Sequence, residues 1–100
     1  MQEVCELYKE LLQFLKKYGD ERITPQYKAL LDAIEFLESD AEYEEKKKCV
    51  KWCQGMLYPP REGLSEFYVY NNDRTVMDEI NTQLSDLLDR LHKVVEKILD

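Results

Sequence analysis

The chain has one histidine, one tryptophan, three cysteines, three glycines and three prolines in 100 residues, and no excess of positive charge. Each scarcity excludes something. A single histidine, His92, rules out a di-iron bundle, which takes two Glu-x-x-His pairs. It also leaves a Cys–His nucleophile dependent on a cysteine that no spacing brings to it. The few glycines form no phosphate-cradling loop, and there is no serine elbow or Walker pattern. No apolar run approaches the roughly 18 residues of a membrane span. The opening MQEVCELYKELLQFLKKYG lacks a basic start, a continuous apolar stretch and a small-residue cleavage site, so no signal peptide is expected. With no such leader, an odd number of cysteines (Cys5, Cys49, Cys53) points to reduced thiols and a cytoplasmic location. Lysine and arginine number 14 against 21 acidic residues, a net charge of −7. That balance opposes nucleic acid and anionic membrane surfaces and favours a basic partner.

What remains is apolar residues at helical spacing. The chain is 44% apolar and 35% charged, ordinary for a soluble globular chain and enough for one modest core, so residues 1–100 are read as a single domain. Residues 2–18 carry Val4, Leu7/Tyr8, Leu11, Phe14/Leu15 and Tyr18, with Gly19 as a C-terminal cap. Thr24-Pro25 reads as a capping side chain followed by proline at the first helical position. The stripe of that second helix is Tyr27, Leu30/Leu31, Ile34 and Leu37, ending near Ser39-Asp40. A third helix, about 41–54, would bury Tyr43, Cys49/Val50, Trp52/Cys53 and Met56. It is the weakest, because EEKKK (44–48) is wholly charged. The longest helix starts at Thr75, with Asp78 as a variant capping box, and repeats apolar residues to 98/99. Four such helices with short connections predict an all-α, antiparallel four-helix bundle.

The exception is residues 57–74, a long, partly extended connection before the last helix. Tyr58-Pro59-Pro60 forces extended backbone and stops the third helix, Gly63 permits a turn, Phe67-Tyr68-Val69-Tyr70 has strand propensity, and Asn71-Asn72-Asp73 reads as a turn and helix cap. A lone strand is not stable in water, so the segment is expected to lie on the bundle. Alternation then places Leu64, Phe67 and Val69 inward and Tyr68 and Tyr70 at the surface. Asn81 falls on the apolar stripe of the last helix and needs partners if buried. It either pins this connection through side-chain-to-backbone hydrogen bonds or faces solvent at the bundle's edge.

Charge is concentrated in one place. Residues 32–45 contain Asp32, Glu35, Glu38, Asp40, Glu42, Glu44 and Glu45 and no lysine or arginine; the rest of the chain is balanced. Glu42, Glu44 and Glu45 suit a helix N-terminus, so the segment reads either as a solvated corner or as a patch that steers a basic partner. Cys49 and Cys53, four apart, share a helical face and with Cys5 and His92 would make a Cys₃His zinc set. Zinc pairs of such spacing usually sit in turns, and here the other two ligands would come singly from distant helices, so apolar packing is the better account of the thiols. No cofactor, metal or catalytic set is expected.

The stretch Gly63-Leu64-Ser65-Glu66-Phe67-Tyr68-Val69-Tyr70, followed by a helix with Asn81, resembles small, acidic bacterial proteins, some of which act as immunity proteins in toxin–immunity pairs. The resemblance covers about residues 60–91. It implies a non-enzymatic protein that binds and neutralises a co-produced toxin, often a nuclease, whose basic cleft suits an acidic inhibitor. The expected contact residues are the seven carboxylates of 32–45, with Tyr58, Tyr68 and Tyr70 as aromatic anchors, since tyrosine is frequent at interface hot spots. Gly63, Phe67 and Asn81 are expected to be structural. The alternative is a structural or regulatory helical protein that self-associates as a homodimer through the last helix or the extended segment.

Overall fold

The computed structural model describes residues 1–58, 63–64 and 67–99. It is an all-α bundle of four helices: α1 (Gln2–Tyr18), α2 (Thr24–Leu37), α3 (Tyr43–Leu57) and α4 (Arg74–Leu99). Among the described residues there is no strand. The backbone expected from Pro59-Pro60, and the Ser65-Glu66 pair, lie outside the described residues. The molecule measures 46 × 23 × 23 Å, its long axis following α4, whose 26 residues span roughly 39 Å at 1.5 Å per residue.

Helix α1 packs against both α2 and α4, and α2 also packs against α3; the α3–α4 contact is smaller than these. Neighbours run antiparallel. The last turn of α1 (Phe14, Tyr18) shares a groove with Gln83 of α4, and its first turns (Glu3, Glu6) share one with Lys93 and Lys97. The core is a continuous aliphatic and aromatic cluster, with Tyr8, Leu11, Leu30, Leu57, Leu64 and Leu91 among its most buried side chains. The connection fills part of the core, with Leu64, Phe67 and Val69 buried while Tyr68 and Tyr70 are exposed. Leu64 donates its backbone N–H to the Leu57 carbonyl at 2.9 Å, which folds the connection back over the end of α3.

Several helix ends differ from the sequence expectation. Gly19 donates to the Leu15 carbonyl at 2.7 Å, but its φ of −77° is extended rather than left-handed. Glycine is needed there for space, because a Cβ would meet the Leu15 carbonyl oxygen and lie 2.7 Å from the Ile23 Cδ1. Thr24 does not cap α2. A 3-10 turn, Glu21–Ile23, precedes the helix and is capped by Asp20, whose carboxylate accepts from the Arg22 backbone N–H at 2.9 Å. Helix α3 begins at Tyr43 and runs to Leu57, later at both ends than the periodicity predicts. The cap of α4 is Asp73 rather than Thr75: its Oδ1 accepts from the backbone N–H groups of Thr75 at 2.9 Å and Val76 at 3.3 Å.

Candidate functional site

Helix α3 buries a row at Val50, Cys53 and Leu57, spaced by three and four residues and therefore on one side of the helix. This row corrects the expected stripe. Tyr43, Trp52 and Met56, assigned to the core by periodicity, are exposed. Trp52 lies about 200° from Val50 at 100° per residue, so the two cannot share a face. On α2 the buried row is Gln26, Ala29, Leu30, Ala33, Ile34 and Leu37. Leu31 and Phe36 are turned outward, and Tyr27 is half-buried. In the α2–α3 contact Cys53 lies against the Ala29 carbonyl, and the large side chains of Trp52 and Met56 are left on its outer rim.

That rim is a groove of about 360 Å³ with Pro25, Lys28, Ala29 and Asp32 on one wall and Trp52 and Met56 on the other. Trp52, the only tryptophan, is 46% exposed. Phe36 extends the same α2 row as Pro25, Ala29 and Asp32 by four residues, and it too is partly exposed.

The seven carboxylates of 32–45 are all exposed. Glu38 pairs with Lys9 of α1 at 3.3 Å and Glu45 with Lys48 at 3.3 Å; Lys9 is held above its ordinary pKa chiefly by its hydrogen bond to Glu38. Asp32, Glu35, Asp40, Glu42 and Glu44 make no ion pair among the described residues. The lysine run does little to neutralise them: Lys47 lies over the Tyr43 ring, 6.0 Å from its centroid, and Lys46 is half-buried. The α1–α4 seam is different. There Glu3, Glu6 and Glu10 face Arg90, Lys93 and Lys97, and Arg90 reaches Glu10 at 3.3 Å.

Of the tyrosines expected as anchors, Tyr68 and Tyr70 are at the surface, Tyr70 being 79% exposed. Tyr58 is half-buried against the core, and burial pushes its hydroxyl pKa upward; it is a packing residue rather than a surface anchor. The tyrosine pair and the acidic corner do not form one surface. They lie at opposite ends of α3, whose 15 residues separate them by roughly 22 Å.

Asn81 completes the geometry of the connection. Its Oδ1 accepts from the Val69 backbone N–H at 2.9 Å, and its Nδ2 donates to the Val69 carbonyl at 2.8 Å. Nδ2 also donates to the Met77 carbonyl at 2.8 Å. Arg22 adds a second hold, its guanidinium 5.4 Å from the Phe67 ring centroid and paired with Asp20 at 2.8 Å. Gly63 is buried beside Leu64 at the turn.

The thiols are packing groups in this geometry. Burial raises the pKa of Cys5 and Cys49 and pushes Cys53 up to about 12, which leaves little thiolate for nucleophilic work at neutral pH. The Tyr8 hydroxyl, also raised by burial, donates to Gln54 Oε1 at 3.0 Å. His92 is exposed on α4. Among the described residues no three His, Cys, Asp or Glu side chains gather as metal ligands, and no described helix is long and apolar enough to cross a membrane.

Periodicity placed Tyr43, Trp52 and Met56 in the apolar stripe of α3, and the structure exposes them. The signal that would have found them is the competing Val50–Cys53–Leu57 row, which satisfies the helix's need for a buried stripe without Trp52. No protein-family model, no curated protein and no solved structure matches this chain.

Proposed function

We propose that the protein is a non-enzymatic binding protein whose acidic α2–α3 side attracts a basic protein partner, in the manner of an immunity protein neutralising a bacterial toxin. The observation that carries this reading is the cluster of uncompensated carboxylates: Asp32, Glu35, Asp40, Glu42 and Glu44 are exposed and make no ion pair among the described residues. The acidic side chains of the α1–α4 seam have cations opposite them. Charge clustered without internal compensation repels itself and destabilises the compact state slightly, and a basic partner relieves it. A nuclease toxin is a fitting partner class, since its phosphate-binding cleft is basic.

The test is co-purification of the partner from the native host, its identification by mass spectrometry, and binding kinetics with the recovered protein. Reversing Glu38, Asp40 and Glu42 to lysine is expected to slow association about tenfold at low salt and to flatten the salt dependence, because such charges act mainly through encounter. An unchanged association rate would remove the acidic segment from the interface. Self-association through α4 or the extended segment remains the other reading, and the exposed Tyr68 and Tyr70 are the observation that favours it; sedimentation of the protein alone across micromolar concentrations tests it.

A further inference from the structure

The groove between α2 and α3 sets the large exposed side chains of Trp52 and Met56 on one wall against exposed Pro25 and Asp32, a carboxylate with no ion pair among the described residues, on the other. Pro25, Lys28 and Asp32 line it from α2, and Trp52 and Met56 line it from α3. Asp32 makes no ion pair among the described residues, although Lys28 lies one helical turn away and lines the same groove. The other grooves, along α1–α4 and on the outer face of α4, are lined mainly by charged and polar side chains and lack tryptophan.

We infer that this groove seats a helical segment of the basic partner, one apolar side chain entering between Trp52 and Met56 and a neighbouring lysine or arginine pairing with Asp32. The inference rests on the proposed acidic-side binding function and assigns its energetic centre. A helix laid in a groove reads as anchors at i, i+3 or i+4 and i+7, and the α2 row Pro25–Asp32–Phe36 against Trp52–Met56 offers room for such a row. Tryptophan at the centre of a patch, ringed by polar groups that exclude water, is the usual composition of a binding hot spot. Charge fixes the polarity. Lys28 repels a second cation, so the basic residue falls on the Asp32 side, and the negative end of the partner helix's dipole falls toward Lys28. The surrounding carboxylates then act on encounter, and the groove sets the dissociation rate.

The probe is a phage-displayed library of 16-residue peptides selected on the whole protein, with the consensus peptide synthesised and titrated calorimetrically. Peptides carrying apolar residues at helical spacing beside lysine or arginine are expected. Their affinity should fall at least tenfold with Trp52→Ser and about fivefold with Asp32→Asn, while Thr82→Ala on the outer face of α4 leaves it unchanged. Trp52 and Asp32 are exposed, and unchanged circular dichroism melts show that the variants are folded. A cationic consensus that is insensitive to Trp52→Ser but lost on reversal of Glu38, Asp40 and Glu42 overturns the groove and leaves the acidic-side reading standing. A consensus without cations overturns both. A stable dimer of the protein alone that sequesters Trp52 from quenchers also overturns the groove as a partner seat.

Discussion

Asn81 gives Val69 what a neighbouring strand would give it. One carboxamide exchanges both hydrogen bonds with one residue's backbone, so a single extended segment is held on a helix without a sheet. Asn81→Leu leaves that N–H and C=O unpaired beside the core, and the expected loss is about 1–3 kcal/mol, read from the urea midpoint. Val69's amide should also lose hydrogen-exchange protection before the helices do, whereas a purely global effect would move all amides together. The glycines make a second residue-level comparison. Gly19→Ala drives a Cβ against the Leu15 carbonyl oxygen and Ile23, and overpacking of this kind costs about 1–3 kcal/mol. Gly55 lies inside α3 with nothing within 4 Å of an added Cβ. Gly55→Ala should therefore stabilise by about 0.5–1 kcal/mol through helix propensity, and thermal melts of the two variants should move in opposite directions.

At the scale of the element, α3 decides how the chain was to be read. The extents of α1, α2 and α4 are legible because each has a long apolar row that repeats over many turns, and Leu64, Phe67 and Val69 are legible because strand alternation sorts faces. Helix α3 has two overlapping rows after its charged half, Val50–Cys53–Leu57 and Cys49–Trp52–Met56. Periodicity cannot choose between them; the choice is made by α2, which offers Ala29 and Ala33 as the surface to pack on. Of the caps, Asp73 falls in the Asn71-Asn72-Asp73 run that reads as a turn and cap, whereas Asp20 acts four residues before the Thr24 that looks like one. The buried half of α3 also sets a pH dependence. Folding keeps Cys53 protonated to about pH 12, against an ordinary 9.0, and raises Tyr8 by burial as well. Between those limits the unfolded chain releases protons that the folded one retains, so the contribution is complete below pH 9 and is lost as pH rises toward 12. Urea midpoints should fall between pH 8 and pH 10.5, and Cys53→Ala should flatten that fall.

At the scale of the whole molecule, charge is unevenly compensated along a 46 Å body. The α1–α4 seam has opposite charges face to face, and the α2–α3 corner does not. Neutralising Glu35 and Asp40 to Gln and Asn should therefore raise the melting temperature of the isolated protein slightly, by an amount equivalent to less than about 0.5 kcal/mol each. The gain should vanish in 1 M salt, where screening acts within about 3 Å. The same variants should associate more slowly with a basic partner. If melting is unaffected at low salt, the carboxylates are too well solvated to repel one another. The seven carboxylates were fully visible in the sequence; that five of them lack a cation was not, because it depends on where Lys9, Lys46, Lys47 and Lys48 point. The graded depth of the three thiols has one more consequence. Cys49 is half-buried, while Cys5 and Cys53 are buried, and Cys53 Sγ lies against the Ala29 carbonyl at 3.9 Å. A thiol-alkylating reagent will therefore mark Cys49 in the native protein, and will mark Cys53 only in molecules whose α2 and α3 have parted. Peptide mapping of the alkylated chain, followed over time, separates Cys53 from the other buried thiol, Cys5, and reports how often those two helices part.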